Sequence, residues 1–260
     1  MSTKFERTSL FIEKARFESI EHLENNIHLI KVYSPSIAHS AKPGQFCNIK
    51  VSETDFPLLR RPFSVCNVEG DFVYFMFDIH GEGTKLLTKK KSGDELDILG
   101  PLGKGFDYEG DFDTAIIVAG GLGAAPFPFL TKYLTGKNIF SFVGGRSKNL
   151  VIRWGLKNIF VSTDDGSEGF KGTNVALFRQ KTELYQNKKF RVFACGPNPM
   201  LKALQELCIA NDYDCQVSVE CAMACGFGIC QGCPIEKSDG GGYLLVCKDG
   251  PVFDAKAVRL

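Results

Sequence analysis

The first part of the chain is a series of short runs in which apolar and polar residues alternate. Each run stops at glycine, proline or another turn-forming residue, and the clearest are residues 26–35 (NIHLIKVYSP), 44–52 (GQFCNIKVS) and 71–79 (DFVYFMFDI). A period of two is the pattern of a β-strand, and the last run is apolar on both faces, which predicts a strand buried on both sides. Several such strands predict an antiparallel sandwich or barrel over residues 1–108.

Beyond residue 108 the apolar runs become continuous and alternate with helical spacing. Residues 114–130 (TAIIVAGGLGAAPFPFL) predict a buried strand, a glycine turn and then a helix. Further buried strands are predicted within residues 138–145, 158–166 and 189–200. One helix face is predicted by the spacing of Met200, Ala203, Leu204 and Leu207. Alternating strands and helices predict a parallel sheet over residues 109–218, with ligands at the carboxyl ends of its strands.

The last part of the chain, residues 219–260, concentrates cysteine. The spacing C-x4-C-x2-C is formed by Cys225, Cys230 and Cys233, and Cys247 lies fourteen residues after Cys233. This is the pattern of a plant-type [2Fe–2S] site, in which three close thiolates and one distant thiolate ligate two iron atoms. Glycines between the cysteines let the backbone wrap closely and point its amides at the sulfurs. Residues 243–253, near the end of the chain, are predicted to be strand-like.

A zinc site is the alternative for these thiols. Zinc sites usually pair two C-x2-C knuckles, and only one such pair exists here, so the spacing favours the iron–sulfur cluster. Cys221 does not fit the spacing and is predicted to pack rather than to ligate. The scattered cysteines have apolar neighbours and are predicted to be small core residues; they are Cys47, Cys66, Cys208 and Cys215.

Composition narrows the class of protein. The chain has 260 residues, of which 44% are hydrophobic and 23% charged, and its net charge is +1. Because the charges nearly balance, neither a nucleic acid nor a membrane is expected as a partner. The first ten residues lack an apolar signal core, and no apolar run approaches the roughly 18 residues of a membrane span. A cytoplasmic protein with reduced thiols is therefore expected.

Two glycine turns are predicted at the ligand-binding edge of the parallel sheet. Residues 119–127 (AGGLGAAPF) follow a strand and open a helix, and residues 195–200 (CGPNPM) end another strand. Bare backbone amides at such a turn can approach a pyrophosphate, although a plain strand-to-helix turn has the same composition. The two turns would lie side by side, which favours a nucleotide site.

Two further short motifs lie in the β-rich part. Residues 60–64 (RRPFS) combine an arginine for phosphate charge, a proline that fixes the backbone and a hydroxyl donor. Residues 81–84 (GEGT) precede an apolar segment, so Thr84 is predicted to cap a short helix whose amides receive a phosphate. Each motif taken alone is equally compatible with a surface turn.

Together these motifs resemble the ferredoxin–NADP reductase superfamily. Its barrel carries R-x-[YF]-S and G-x-G-T for a flavin, and its nucleotide domain carries G-G-x-G-x-[AT]-P and C-G-P-x-P-M; here these are residues 61–64, 81–84, 120–126 and 195–200. The cysteine segment and residues 162–173 (STDDGSEGFKGT) resemble the electron-transfer subunits of NAD-dependent (class 1B) dihydroorotate dehydrogenases. The resemblance implies an α+β multi-domain fold with an antiparallel FAD-binding β-barrel (1–108), an α/β parallel-sheet NAD-binding domain (109–218) and a small [2Fe–2S] domain (219–260).

The resemblance also implies the binding residues. FAD is expected at Arg61, Pro62, Phe63, Ser64, Met76, Phe77, Asp78, Gly83 and Thr84. Within that set Arg61 would hold the pyrophosphate and Ser64 would lie near flavin N5, whereas Asp78 stands where the family often has a basic residue. NAD is expected at Gly120, Gly121, Gly123, Cys195, Gly196, Pro197 and Met200, and the cluster at Cys225, Cys230, Cys233 and Cys247.

The function implied by the resemblance is electron transfer in pyrimidine biosynthesis. Dihydroorotate would be oxidised at FMN in a separate catalytic subunit, and electrons would pass through the cluster and FAD to NAD+, in an assembly of two plus two subunits. One alternative is a reductase subunit of the same architecture that serves ferredoxin, sulfide or sulfite chemistry, and another is a zinc-stiffened module without enzyme activity. The four histidines are dispersed along the sequence, at His22, His28, His39 and His80. Of these, His80 alone lies beside a predicted site.

Overall fold

The computed structural model describes residues 10–23 and 26–260, so the expectation for the start of the chain falls mostly outside the described residues. The first unit is a closed antiparallel barrel of β1 (Phe11–His22), β2 (Ile27–Tyr33), β3 (Phe46–Lys50), β4 (Arg61–Glu69), β5 (Phe72–Asp78) and β6 (Glu95–Leu102). Around the barrel the strands follow the order β1-β2-β5-β4-β3-β6. Two short helices accompany them, α1 (Pro35–Ser40) and α2 (Glu82–Leu87). The β-rich part is therefore a barrel and not a sandwich.

Strand β5 is apolar on both faces because both faces are covered. Val73, Phe75 and Phe77 belong to the core inside the barrel. Met76 packs in a different core, together with residues of the parallel sheet. The predicted two-sided burial of this strand is confirmed, and it marks the barrel face that contacts the next unit.

The second unit is a parallel sheet with helices on both faces. Its parallel strands are β7 (Thr114–Gly120), β8 (Asn138–Gly145), β9 (Ile159–Thr163), β10 (Phe170–Lys171), β11 (Phe190–Cys195) and β12 (Cys215–Ser218). The helices are α3 (Phe127–Tyr133), α4 (Asn174–Gln180) and α5 (Asn198–Ala210). All of β7 is buried because both of its faces are covered. One face packs against the core that includes α3, and the other packs against the core that includes α4 and α5.

The cysteine-rich segment is attached to this sheet. It contains β13 (Pro234–Glu236), β14 (Tyr243–Leu245), the helical turn α6 (Val246–Asp249) and β15 (Val252–Asp254). Strand β15 pairs antiparallel with β12, which gives the sheet order β10-β9-β8-β7-β11-β12-β15. A strand-like stretch through residues 243–253 was expected, and the structure breaks it at α6. The Asp249 carboxylate accepts a hydrogen bond from the Leu245 N–H at 2.8 Å, which stabilises a turn instead of continued strand.

The predicted fold class is confirmed, and so is the placement of the scattered cysteines. Their exposed fractions do not exceed 3%, and all ten cysteines are free thiols. In the described parts of the chain we find no helix with the length and apolar character needed to cross a bilayer.

Candidate functional site

A cavity of about 220 Å³ opens where the barrel meets the carboxyl edge of the parallel sheet. The barrel lines it with Phe46, Pro62, Phe63, Ser64, Met76, Phe77, Asp78 and Thr84. The other wall comes from the turn after β7 and from the chain after β12, with Leu122, Ala125, Ser218, Val219, Glu220, Cys221, Met223 and Pro251. The structure thus brings together seven of the nine residues that the sequence predicted for FAD.

The other two predicted FAD residues, Arg61 and Gly83, lie side by side next to this cavity. A Cβ atom at Gly83 would approach the Arg61 Nε to 3.1 Å, so the missing side chain makes room for the guanidinium. Thr84 does not cap α2 as predicted; the cap residue is Gly81, whose φ of 94° favours glycine. The Thr84 hydroxyl instead accepts a hydrogen bond from the His80 N–H at 2.7 Å, within the first turn.

A second cavity, of about 450 Å³, lies on the other side of the turn after β7. Four of the predicted NAD residues line it, namely Gly120, Gly121, Pro197 and Met200. The rest of the lining comes from the ends of β8 and β9 and the starts of α4 and α5: Gly144, Gly145, Arg146, Leu150, Ser162, Asp164, Thr173, Asn174, Val175, Pro199 and Ala203. The predicted side-by-side arrangement of the two glycine turns is confirmed.

The three remaining predicted NAD residues form the packing behind this cavity. A Cβ at Gly123 would overlap the Cys195 carbonyl, so only glycine lets the turn after β7 pack on the end of β11. A Cβ at Gly196 would lie 2.6 Å from the Met200 Cε. Cys195 is 1% exposed, and burial raises the pKa of its thiol far above the ordinary value. These residues shape the wall and are not part of its surface.

Arg146 and Asp164 place opposite charges in the lining of the second cavity. The loops that carry them are held together by backbone bonds: the Asp164 N–H donates to the Gly145 carbonyl at 3.1 Å, and the Asp165 N–H to the Arg146 carbonyl at 3.2 Å. The sequence pointed to residues 162–173 as a whole, but Asp164 was not recognised individually. A carboxylate directly after a parallel strand is a common pattern. It indicates a residue of this cavity only once β8 and β9 are known to be neighbours.

The four cysteines of the C-terminal motif lie as two pairs. Cys233 Sγ is 3.2 Å from Cys247 Sγ, and the Cys247 N–H donates to Cys233 Sγ at 3.4 Å. The Cys230 N–H donates to Cys225 Sγ at 3.5 Å. Within residues 10–23 and 26–260, no three Cys, His, Asp or Glu side chains surround one point closely enough to ligate a single ion. Two pairs of thiols fit a centre with two irons and two thiolates on each, better than one tetrahedral zinc.

The loop around Cys225 is built to stabilise a thiolate. Burial acts to raise the pKa of Cys225, but backbone N–H groups of Cys230, Phe227 and Ile229, with the Cys230 thiol, lower it to about 6. Gly226 and Gly228, with φ of 83° and 89°, allow the chain to turn these amides inward. Metal ligation requires the deprotonated sulfur, so the surroundings of Cys225 suit a cluster ligand.

The Cys233–Cys247 pair lies next to a wall of the first cavity. Cys221 and Met223 line that cavity. Burial, and then the adjacent Cys233, raise the pKa of the Cys221 thiol to about 11. Cys221 therefore packs between the cavity and the Cys233–Cys247 pair.

Glu220, which no sequence motif includes, lines the first cavity two residues after β12. Partial burial, followed by the charge of Asp78, raises the pKa of the Glu220 carboxyl, although its side chain still reaches solvent. Nothing in the sequence marks this glutamate, because Asp78 is more than a hundred residues away.

The histidines are also less dispersed than expected. The β1–β2 register sets His22 opposite His28, with 5.1 Å between ring centroids, but neither lines the two cavities.

The fold and the two adjoining cavities define a ferredoxin–NADP reductase-like oxidoreductase with an added cysteine segment. A chain of the NADH-dependent reduced ferredoxin–NADP oxidoreductase structure superposes with a TM-score of 0.82 and 27% identity, over 95% of this chain and 90% of that chain. The family model described as the iron–sulfur cluster binding domain of dihydroorotate dehydrogenase B matches residues 220–259.

Curated relatives identify the family. The "dihydroorotate dehydrogenase B (NAD(+)), electron transfer subunit" of Caldanaerobacter subterraneus subsp. tengcongensis is 39% identical, over 83% of this chain and 86% of the relative. The subunit of the same name from Bacillus velezensis is 36% identical, over 94% and 97% of the two chains. This chain belongs to the family of dihydroorotate dehydrogenase B electron-transfer subunits, as the sequence motifs predicted.

Proposed function

We propose that the chain carries electrons between a dihydroorotate-oxidising catalytic subunit and NAD+, with a [2Fe–2S] cluster and FAD as its own redox groups. The observation that carries this proposal is that the three sites adjoin one another in a row. Cys221 lies between the Cys233–Cys247 pair and the first cavity, and the turn after β7 separates the first cavity from the second. A flavin exchanges one or two electrons, so it links a one-electron cluster to a two-electron nicotinamide.

The protein's own residues bind and orient these groups. We assign FAD to the first cavity, where Arg61 supplies a permanent charge for the pyrophosphate and Ser64 a hydroxyl for the ring. NAD occupies the second cavity, and Gly120 and Gly121 let its phosphates approach the backbone. We propose three functional units for these roles: residues 1–108 for FAD, 109–218 for NAD and 219–260 for the cluster.

The partner is proposed to be an FMN-containing catalytic subunit, paired two plus two with this chain in the cytoplasm. The face for it is the cluster loop, defined as residues 225–233. Ile229 and Phe227 are 75% and 44% exposed there, and together they form an apolar surface beside the proposed cluster. An apolar face around an exposed thiol, Cys230, permits the close approach that electron transfer needs.

The function is tested by anaerobic purification with a dihydroorotate dehydrogenase catalytic subunit, followed by an assay of dihydroorotate-dependent NAD+ reduction. Activity is expected only when both subunits are present. An inactive complex with a verified FMN subunit would contradict the proposal. NADH-dependent reduction of ferredoxin by the chain, without that partner, would favour the reductase function of its structural neighbour instead.

Asp164→Asn is expected to weaken discrimination against NADP+. A carboxylate at the ribose end accepts hydrogen bonds from a 2′-hydroxyl and repels a 2′-phosphate. An amide still accepts the hydrogen bond but does not repel the phosphate. The ratio of kcat/KM for NAD+ to that for NADP+ should fall roughly tenfold, which corresponds to about 1.4 kcal/mol. Asp165→Asn is the matched control, since it removes the same charge outside the cavity lining. An unchanged ratio in Asp164→Asn would remove Asp164 from the site.

Glu220→Gln is expected to shift the midpoint potential of bound FAD to more positive values. A carboxylate beside the ring disfavours the negative charge that reduction adds. Because the pKa of Glu220 is raised, its charge is lost as pH falls through that raised pKa, and the difference from wild type should disappear at low pH. Dye-equilibrated redox titration at several pH values measures this. Glu206→Gln is the control, because Glu206 is an exposed carboxylate on α5 outside both cavities, and it should not change the FAD potential. Equal FAD potentials for wild type and Glu220→Gln at neutral pH would refute the placement of Glu220 beside the flavin.

A further inference from the structure

Asn48 connects the flavin-binding strands to the cluster loop. It lies on β3, where the register sets it opposite Pro62 of β4 and Leu99 of β6. Its side chain is 1% exposed, and its Nδ2 donates a hydrogen bond to the carbonyl of Cys225 at 3.2 Å. One buried amide therefore contacts the backbone of a proposed cluster ligand from the strand next to the FAD motif.

The cluster loop lies directly on this amide. Gly226 follows the bonded carbonyl, and a Cβ atom there would overlap the Asn48 Nδ2 and lie 3.3 Å from the Leu102 Cδ1. Its φ of 83° also favours glycine. The loop thus approaches the barrel as closely as backbone allows, and Asn48 supplies the polar contact at that point.

Barrel stability does not explain an asparagine at this position. The Oδ1 of Asn48 is buried and has no hydrogen-bond partner among the residues that the structure describes. An orphaned acceptor destabilises the fold, and an apolar side chain on β3 would avoid it. The amide is therefore explained by what its Nδ2 holds, which is the Cys225 end of the loop.

We propose that Asn48 is a positioning residue that fixes the cluster loop on the flavin-binding strands, and so holds the cluster at a set place relative to the flavin. The inference rests on the proposed cluster ligands. Outer-shell groups that orient metal ligands typically contribute roughly 10- to 100-fold to metal retention. Asn48 does this through the main chain of Cys225, without contact to the sulfur.

The test is the rate at which an iron chelator bleaches the cluster in the holoprotein under anaerobic conditions. Asn48→Ala and the smaller change Asn48→Ser should bleach roughly 10- to 100-fold faster than wild type, because neither side chain reaches the Cys225 carbonyl. The EPR signal of the reduced cluster should broaden, while FAD content and its visible spectrum stay unchanged. Unchanged FAD content shows that the barrel has folded in both variants.

Asn67 provides a matched control on the same barrel. It is also buried, its Nδ2 donates to Glu69 at 3.0 Å, and its Oδ1 has no partner within the described part of the chain. Asn67→Ala should keep the wild-type bleaching rate and EPR line shape. Equal bleaching of wild type and both Asn48 variants, or equally fast bleaching of Asn67→Ala, would overturn the inference alone. A wild-type protein without iron, or a Cys225→Ala variant with a full cluster, would overturn the proposed ligand set and this inference with it.

Discussion

Replacement of Cys247 by alanine is expected to remove the iron–sulfur cluster and leave the flavin and nicotinamide sites intact. Cys247 is 1% exposed and its Sγ lies 3.2 Å from that of Cys233, so the variant leaves one iron with a single protein ligand. Neither cavity includes Cys247 in its lining. Iron and labile sulfide should fall to background, and electron transfer from the catalytic subunit to FAD should fall roughly 100-fold or more. NADH should still reduce the bound FAD.

Two other cysteines make this experiment specific. Cys221→Ala removes a thiol beside Cys233 that is not a predicted ligand, and Cys215→Ala removes a thiol that is 3% exposed, from the same core. Both variants should keep a full cluster, and Cys215→Ala controls for the loss of packing. A full cluster in Cys247→Ala, or cluster loss in Cys221→Ala, would show that the ligand set is wrong.

Ile229→Asp is expected to prevent assembly with the catalytic subunit. Ile229 is the most exposed large apolar residue of the cluster loop, and a buried carboxylate at an interface has a high desolvation cost. With this loop at the centre of the contact, the dissociation constant of the complex with the catalytic subunit should rise roughly 30-fold or more. This corresponds to the loss of about 2 kcal/mol of binding free energy, as for a central interface residue. Anaerobic titration calorimetry with the catalytic subunit measures it.

Ile209→Asp is the matched control, because this isoleucine is 50% exposed on α5, outside the cluster loop. Its affinity for the partner should equal that of wild type. Iron content of both variants must be measured first, so that loss of binding is not confused with loss of the cluster. Wild-type affinity in Ile229→Asp, with the cluster intact, would place the interface elsewhere.

Much of the fold could be predicted because it depends on local burial patterns. The apolar run of β7 and the glycine turn after it are recognisable because a central strand is covered on both faces and the close approach of Gly123 to Cys195 tolerates no side chain. The cluster cysteines are recognisable because ligation constrains their spacing. The two short FAD motifs were ambiguous separately and became specific only in combination and order.

Features that depend on contacts distant in sequence could not be predicted. The pairing of Cys247 with Cys233 requires the helical turn α6, which the strand-like composition of residues 243–253 conceals. Glu220 and Asp164 became candidates only when the sheet placed them in cavities. Asn48 looks like an ordinary polar residue in a strand until the cluster loop is seen to pack on it. In each case a residue acquires its role from a partner that lies outside its own motif.

The central claim is that the four paired cysteines hold a [2Fe–2S] cluster which exchanges electrons with FAD in the adjoining cavity. Anaerobic titration of the purified holoprotein with NADH, followed by EPR and visible absorption, tests it directly. We expect about two irons and about two labile sulfides per chain, and a cluster signal that appears as the flavin is reduced by NADH. A colourless protein with one zinc ion, or a cluster that NADH cannot reduce through a fully reduced flavin, would contradict the account.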